Sequence, residues 1–207
     1  ITLVHFGRNF HVPLNRVHAM RVRLASNSPR RFAMLAPLFR DLHQEGVPGV
    51  DETPPTGTVE HQVLEICKRK AAGIADPTHD IVVVADTMLS DPDDHSLSLG
   101  KPRDRHHATL MLHRLSGRHH QVWTATGVFF SGQWRFWCEH AVVAIQPLTD
   151  DRLGALLDSD SWKGKAGGYD LAGPMGEFAS LVDGESCTVL GIAGEAMALL
   201  TSLASLS

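Results

Sequence analysis

The sequence predicts an α/β fold built on one mixed, twisted sheet with flanking helices. Segments with helical periodicity alternate with short strands along the chain, which is the order found in α/β proteins. The run IVVVA at 81–85 is short, apolar and largely β-branched, which is typical of a strand buried on both faces. Two segments rich in β-branched and aromatic residues, 121–130 and 134–145, predict a hairpin around Ser131-Gly132.

The first elements form a strand followed by a helix. Alternating apolar residues predict a strand over 22–25. Ser28 and Pro29 predict the start of a helix over 30–39, because the serine hydroxyl can cap the helix and proline fits its first position. Residues 47–55 are too rich in proline for a central strand or a helix interior, so we expect a loop that carries functional residues.

The middle of the chain predicts a helix, a strand and a second helix. Thr58 is the expected cap of a helix that runs to about residue 75. The strand 81–85 ends at Asp86-Thr87, and the alternating segment 97–99 predicts a return hairpin. A helix over 105–115 is closed by Ser116-Gly117.

The last third contains the predicted hairpin and a glycine-rich loop. We interpret the hairpin as an antiparallel insertion. A helix over 148–157, a glycine-rich loop over 164–176, a strand over 178–182 and a terminal helix over 192–203 complete the prediction.

The N-terminal segment has a different pattern from the rest of the chain. Residues 1–19 show no clear periodicity and lack the features of a secretory signal. We therefore expect them to be a disordered extension, with Met20 as the native start and one domain over 20–207.

Composition narrows the class of partner. The chain has 207 residues, 43% of them hydrophobic and 20% charged, which are ordinary values for a protein with a packed core. The formal net charge of −4 gives no overall attraction for nucleic acid or an anionic membrane. The longest apolar runs are far shorter than the roughly 20 residues of a membrane span. Three cysteines without a Cys-x-x-Cys pair fit a reducing, cytoplasmic setting.

Segment 26–31 carries two hydroxyls and two guanidinium groups where the strand meets the helix. A helix start offers free N–H groups and partial positive charge, so this segment predicts a phosphate clamp. The alternative is a capped helix with two solvated arginines.

Four further side chains have the chemistry needed to hydrolyse a phosphoanhydride. Asp86 follows a buried strand, where open α/β sheets place functional groups. Asp86 and Glu52 offer hard oxygen ligands that suit Mg²⁺ or Mn²⁺, and Asp86 can activate water. Lys70 and Lys101 can neutralise phosphate. The alternatives are an aspartate that starts a turn and two solvated lysines.

Taken in order, short segments from Met20 to Gly191 resemble the Maf family of nucleoside triphosphate pyrophosphatases. No single segment is decisive, but together they cover nearly the whole chain. The matching segments are Ala25-Ser26-Asn27-Ser28-Pro29-Arg30-Arg31, Glu52, Lys70-Ala71, Ala85-Asp86-Thr87, Gly100-Lys101-Pro102, Leu115-Ser116-Gly117, Lys165-Ala166-Gly167-Gly168-Tyr169 and Val189-Leu190-Gly191.

The resemblance implies a hydrolase of acid anhydrides. The family fold, similar to that of inosine triphosphate pyrophosphatases, has two α/β halves around a substrate cleft. The implied reaction cleaves a nucleoside triphosphate between its α and β phosphates, with Mg²⁺ or Mn²⁺ as cofactor. Asp86 would be the proton acceptor and Glu52 would assist with metal or water. The residues implied in holding the triphosphate are Ser28, Arg30, Lys70 and Lys101.

Three positions distinguish branches of the family, and they fall on Arg31, Thr87 and Ala172. Arg31 and Thr87 match the branch similar to dTTP/UTP pyrophosphatases, whereas the 7-methyl-GTP branch has Trp and Gln there. The dTTP/UTP branch has Gln at the position of Ala172, so an amide that reads the base is missing. Loss of such a hydrogen bond relaxes discrimination.

The expected substrate is therefore dTTP, UTP or a modified nucleotide. Two alternatives stay open: another base preference such as 7-methyl-GTP, and a nucleotide-binding regulator of cell division with little turnover. The expected partners exclude nucleic acid and membrane. A homodimer is an open alternative to a monomer.

Overall fold

The computed structural model describes residues 20–75 and 77–206, which form a seven-stranded mixed sheet with helices packed against it. The extension expected over residues 1–19 lies outside the described residues. The strands are β1 (Arg21–Leu24), β2 (Asp41–Gln44), β3 (Ile81–Ser90), β4 (Ser98–Leu99), β5 (His119–Phe130), β6 (Gln133–Ile145) and β7 (Ala179–Asp183). The α-helices are α1 (Pro29–Leu35), α2 (Val59–Ala72), α3 (Arg105–Leu115), α4 (Asp150–Asp158), α5 (Ser186–Leu190) and α6 (Gly194–Ala204).

The strand order confirms the predicted mixed sheet. It runs β2-β1-β3-β5-β6-β7, with β4 paired to β3. β1 is parallel to both β2 and β3, whereas β3, β5, β6 and β7 pair antiparallel. The hairpin of β5 and β6 was interpreted from the sequence as an insertion, and this interpretation is wrong. The hairpin forms the middle of the sheet, because β5 pairs with β3 from Ile81 to Leu89.

β3 is longer than its apolar run. It continues through Asp86 and Thr87 to Ser90, so these two residues lie within the strand and do not follow it as predicted. The strand continues because β5 supplies pairing partners along its whole length, Asp86 facing Ala125 and Thr87 facing Thr124. Strand pairing here outweighs the low strand propensity of aspartate.

Alternation along β3 divides its side chains between two cores. Ile81 and Val83 pack in the core that contains residues of α1 and α6, whereas Val82 and Val84 pack in the core that contains α2. Successive side chains of a strand point to opposite faces. Asp86 therefore points toward α2, and Thr87 points toward α1.

Two further elements differ from the prediction in the first half of the chain. α1 ends at Leu35 and not at residue 39, because Pro37 removes a backbone donor and its ring excludes a continued helix. β2 was not predicted, since its sequence DLHQ is polar and half exposed. Its pairing with β1 places it at the edge of the sheet, where an apolar pattern is not required.

The remaining elements, α5 excepted, agree with the prediction to within a few residues. α2 ends at Ala72 and α3 has the predicted bounds. α4 begins at Asp150, because the hydroxyl of Thr149 caps it by accepting from Arg152 N. The short α5 was not predicted, and α6 starts at Gly194. In the described part of the chain no helix is long and apolar enough to cross a membrane.

Candidate active site

A cavity of about 420 Å³ lies where α1, α2, β3 and the glycine-rich loop meet. From the described part of the chain, its wall carries six basic side chains and two acidic ones, an imbalance that favours a ligand with several negative charges. The basic residues are Arg30, Arg31, Lys70, Lys101, Lys163 and Lys165, and the acidic residues are Glu52 and Asp86.

Asp86 and Glu52 share one ammonium group at the cavity wall. Lys70 Nζ lies 2.7 Å from Asp86 Oδ1 and 3.3 Å from Glu52 Oε2. The Lys70 and Asp86 side chains are each only 12% exposed, whereas Glu52 is 54% exposed. A buried carboxylate requires a close cation to offset its loss of hydration. Asp86 lies on the side of β3 that faces α2, and Lys70 of α2 supplies that cation. Lys70 is therefore not a solvated lysine.

The two carboxylates fit a divalent cation that also binds the ligand. Within residues 20–75 and 77–206, no group of three or more His, Cys, Asp or Glu side chains forms a complete metal cage. Mg²⁺ usually takes one or two carboxylates and completes its shell with phosphate oxygens and water. Glu52 and Asp86 line one cavity and contact one nitrogen, so their oxygens are the ones that would hold such a cation if it bound here.

Arg31 is buried beside the cavity with neutral partners. Its Nε donates to Gly191 O at 2.8 Å, one terminal nitrogen donates to Ser26 Oγ at 2.9 Å, and the other donates to Thr87 Oγ1 at 2.9 Å. Burial lowers the pKa of this guanidinium, and the nearby charge of Asp86 opposes that shift. No carboxylate of the described residues forms a salt bridge with it, so its charge remains available to an anionic ligand.

A chain of hydroxyls holds Thr87 against Arg31. Thr87 Oγ1 lies 2.9 Å from Thr124 Oγ1 on the adjacent strand, and Thr124 donates to Thr188 O at 2.7 Å. Because that donation uses the Thr124 proton, Thr87 donates to Thr124 and accepts from Arg31. Thr124 was not among the predicted site residues, although its hydroxyl lies between the apolar Trp123 and Ala125 in β5 and was a visible signal.

Gly191 is also part of this arrangement. It caps α5 in the left-handed conformation with φ of 113°, which favours glycine. A Cβ there would lie 2.8 Å from Arg31 Nε, so glycine also lets the backbone approach the guanidinium. The resemblance included Gly191 but gave it no role.

The predicted phosphate clamp, residues 26–31, makes more hydrogen bonds to the rest of the protein than the sequence suggested. Gln44 Nε2 donates to Ser26 O at 2.9 Å and to Ser28 O at 3.1 Å. Ser28 Oγ caps α1 by accepting from Arg31 N, and Pro29 has no N–H. The helix start therefore offers fewer free amides than expected, and the Ser28 hydroxyl keeps its proton for a ligand oxygen.

The structure brings together every predicted site residue except Ala172. Lys101 lines the cavity, is exposed, and makes no side-chain hydrogen bond or ion pair with the described residues. Arg30 lines the cavity and lies 3.5 Å from Asp170 Oδ1. Ala172 is exposed and is not part of the cavity wall, and its N–H donates to Asp170 Oδ1 at 3.1 Å.

Comparison with known proteins shows the family of the chain. The family model described as Maf-like protein matches residues 21–203. A relative named dTTP/UTP pyrophosphatase from Ruegeria sp. (strain TM1040) is 34% identical over 82% of this chain and 86% of its own length. Relatives of the same name from Sphingopyxis alaskensis and Escherichia coli K12 are 33% and 34% identical, covering 87% and 82% of this chain and 95% and 85% of their own lengths. The chain therefore belongs to the Maf family.

Proposed function

We propose that this chain is a nucleoside triphosphate pyrophosphatase, which hydrolyses the bond between the α and β phosphates and releases a monophosphate and pyrophosphate. The names of its relatives support this reaction. The observation that carries the proposal is the contact of Asp86 and Glu52 with Lys70 inside a cavity lined by five further basic residues. A carboxylate that can accept a proton thus lies beside cations that can hold a triphosphate.

In the proposed reaction a water molecule attacks the α phosphorus of the anhydride. Asp86 accepts the proton of the water as the new P–O bond forms. The bond from the α phosphorus to the bridging oxygen breaks, and the bond electrons leave with pyrophosphate. Lys70 orients the Asp86 carboxylate through its 2.7 Å contact and places positive charge beside the phosphates.

The cavity cations stabilise the negative charge that builds up during the attack. Arg30 and Lys101 lie on the wall with incomplete sets of partners, so their donors are free for phosphate oxygens. The Ser28 hydroxyl adds a neutral donor. Cations held in place before the reaction lower the barrier because they need little reorganisation.

Glu52 and Asp86 would hold the proposed Mg²⁺ or Mn²⁺ together with phosphate oxygens. When bound, the cation supplies charge neutralisation on the triphosphate. The exposure of Glu52 allows its side chain to turn from Lys70 toward such a ligand.

The proposed substrates are dTTP, UTP or modified nucleotides, on the names of the relatives and on Arg31 and Thr87. Ala172 has no amide and lies outside the cavity wall. We therefore expect weak discrimination between bases, less than about a hundredfold between substrates, because no buried group at this position is left unpaired by the wrong base.

A cytoplasmic setting is part of the same proposal. Cys67, Cys138 and Cys187 are free thiols, which supports a reducing compartment.

A pyrophosphate-release assay tests the proposal. We expect the purified chain to release one pyrophosphate per dTTP or UTP when Mg²⁺ or Mn²⁺ is present, and to stop after chelation. The assay should include CTP, GTP and 7-methyl-GTP under the same conditions. Tight dTTP binding with no pyrophosphate release over hours would refute the enzyme and favour the nucleotide-binding regulator.

A further inference from the structure

We propose that Asp170 limits the affinity of the cavity for polyphosphate by holding two of its cations from outside the cavity wall. The proposal rests on the proposed function, because it concerns the same anion site. Asp170 would thus raise the substrate concentration needed for half-maximal rate and speed the departure of pyrophosphate.

Asp170 is a shared partner of two cavity cations. Its Oδ2 lies 3.0 Å from Lys165 Nζ, and its Oδ1 lies 3.5 Å from an Arg30 terminal nitrogen. Both cations line the cavity, whereas Asp170 does not. The carboxylate therefore contacts these groups from the protein side while a ligand would contact them from the cavity.

The carboxylate is fixed in this position and charged. Asp170 Oδ1 accepts from Ala172 N at 3.1 Å, and the side chain is only 15% exposed. Burial raises the pKa of Asp170, but the contact with Lys165 and the charge of Arg30 outweigh it, and the pKa lies below the usual aspartate value. Asp170 is therefore an anion at neutral pH.

Arg30 is not fully satisfied by this ion pair. The 3.5 Å separation is too long for a strong hydrogen bond. Arg30 Nε is buried and has no hydrogen-bond partner among the described residues. A buried donor without an acceptor is costly. A phosphate oxygen that accepts a hydrogen bond from Arg30 would therefore be stabilised, and it would compete with Asp170 for this side chain.

Two effects of Asp170 oppose a bound polyphosphate. Its negative charge repels the phosphates, and its contacts must weaken when Arg30 or Lys165 turns toward them. A purely supporting carboxylate would instead aim the cations, and its loss would weaken binding. The two roles therefore predict opposite signs for the same substitution.

The test is Asp170→Asn, which removes the charge and keeps the oxygen that accepts from Ala172 N. The matched control is Asp158→Asn, because Asp158 also pairs with an arginine, Arg105, but neither residue lines the cavity. Binding of inorganic tripolyphosphate, measured by calorimetry without metal, reports on the anion site alone.

We expect Asp170→Asn to bind tripolyphosphate about three- to tenfold more tightly than the natural chain, with a smaller gain at high salt because salt screens the removed charge. In turnover, KM should fall and inhibition by pyrophosphate should strengthen by similar factors. Asp158→Asn should bind as the natural chain does.

Unchanged or weaker tripolyphosphate binding by folded Asp170→Asn would overturn the proposal. This failure is distinct from failure of the proposed function. If the natural chain binds tripolyphosphate but never releases pyrophosphate from any nucleotide, the enzyme proposal fails while the sign of the Asp170 effect is still decided by binding.

Discussion

Asp86 and Thr87 are neighbours in β3, but they serve opposite faces of the sheet. Asp86 contacts Lys70 on α2, and Thr87 contacts Arg31 on α1. Alternation along a strand makes this division. One pair of adjacent residues therefore joins the proposed proton acceptor to a proposed selectivity residue, and each is held by a separate helix.

At the scale of single residues, the central contact is that of Lys70 with the carboxylates of Asp86 and Glu52. Lys70→Met should lower kcat by about a hundredfold or more, because the substitution leaves Asp86 buried without its cation and removes a charge beside the phosphates. Steady-state pyrophosphate release measures the effect. Lys68→Met is the control, since Lys68 lies on the same helix, is exposed, and among the described residues forms an ion pair with Glu65 alone. Equal losses in both variants would contradict the assigned role of Lys70.

The sequence predicted the chemistry of individual residues better than their partners. Asp86, Lys70 and Glu52 were singled out by residue type and by resemblance, and the structure brings them together. The contacts of Thr124 and Asp170 were not predicted. Thr124 contacts Thr87 on the neighbouring strand, and Asp170 contacts Arg30, which is far away in sequence. Such contacts depend on the sheet order, which periodicity alone does not supply.

At the scale of elements, the C-terminal end of α5 positions Arg31. The carbonyl of Gly191 accepts from Arg31 Nε, so the helix end and the guanidinium must fit each other. α5 was missed because five residues are too few for a periodic signal. By contrast, α3 was predicted with its full bounds, since Ser116 and Gly117 mark its end. In the structure Asp104 caps its start by accepting from His107 N.

Gly191→Ala should damage both the helix end and the site. The methyl group would lie 2.8 Å from Arg31 Nε and 3.2 Å from Thr87 Oγ1, on a backbone with φ of +113°. We expect a loss of about 1–3 kcal/mol in the free energy of unfolding, together with a lower kcat/KM. Urea denaturation and pyrophosphate release measure the two effects.

Gly154→Ala is the matched control for this prediction. Gly154 lies inside α4, and apart from its chain neighbours and the backbone of its own helix, no atom of the described residues lies within 4 Å of its added Cβ. Alanine should stabilise the helix by about 0.5–1 kcal/mol and leave turnover unchanged. If Gly191→Ala behaved like Gly154→Ala, the close approach to Arg31 would not be needed.

At the scale of the whole molecule, the two faces of the sheet are covered by different helices, and the cavity lies where both sets meet the glycine-rich loop. Tyr169 ends a turn of that loop and is buried against His120 of β5, with Tyr169 Oη 2.7 Å from His120 Nε2. The pair connects the loop that carries Lys165 to the central sheet. Loss of the hydrogen bond between Tyr169 and His120 would therefore affect both the stability of the fold and the position of the loop at the site.

Acid should destabilise the protein through His120. Burial lowers the pKa of His120 from 6.5 to about 4. Below pH 6.5 this histidine therefore binds a proton in the unfolded chain, whereas in the folded chain it stays neutral down to about pH 4. Stability should thus be constant above this window and fall within it by about 1.4 kcal/mol per pH unit from this residue.

Urea denaturation of the natural chain and His120→Gln between pH 7 and pH 5 measures this contribution. Glutamine can still bond to Tyr169 but does not titrate, so the natural chain should lose about 2 kcal/mol more than the variant over this range. His106→Gln, at an exposed position of α3, should follow the natural chain. Parallel pH curves for His120→Gln and the natural chain would show that His120 does not control acid stability.

The most direct test of the central claim is pyrophosphate release by Asp86→Asn. This variant keeps the shape of the side chain but cannot accept the proton of the attacking water, so kcat should fall by at least about a hundredfold while tripolyphosphate binding is retained. Asp93→Asn, exposed and outside the cavity wall, should keep full activity. A folded Asp86→Asn that releases pyrophosphate at the natural rate would contradict the account.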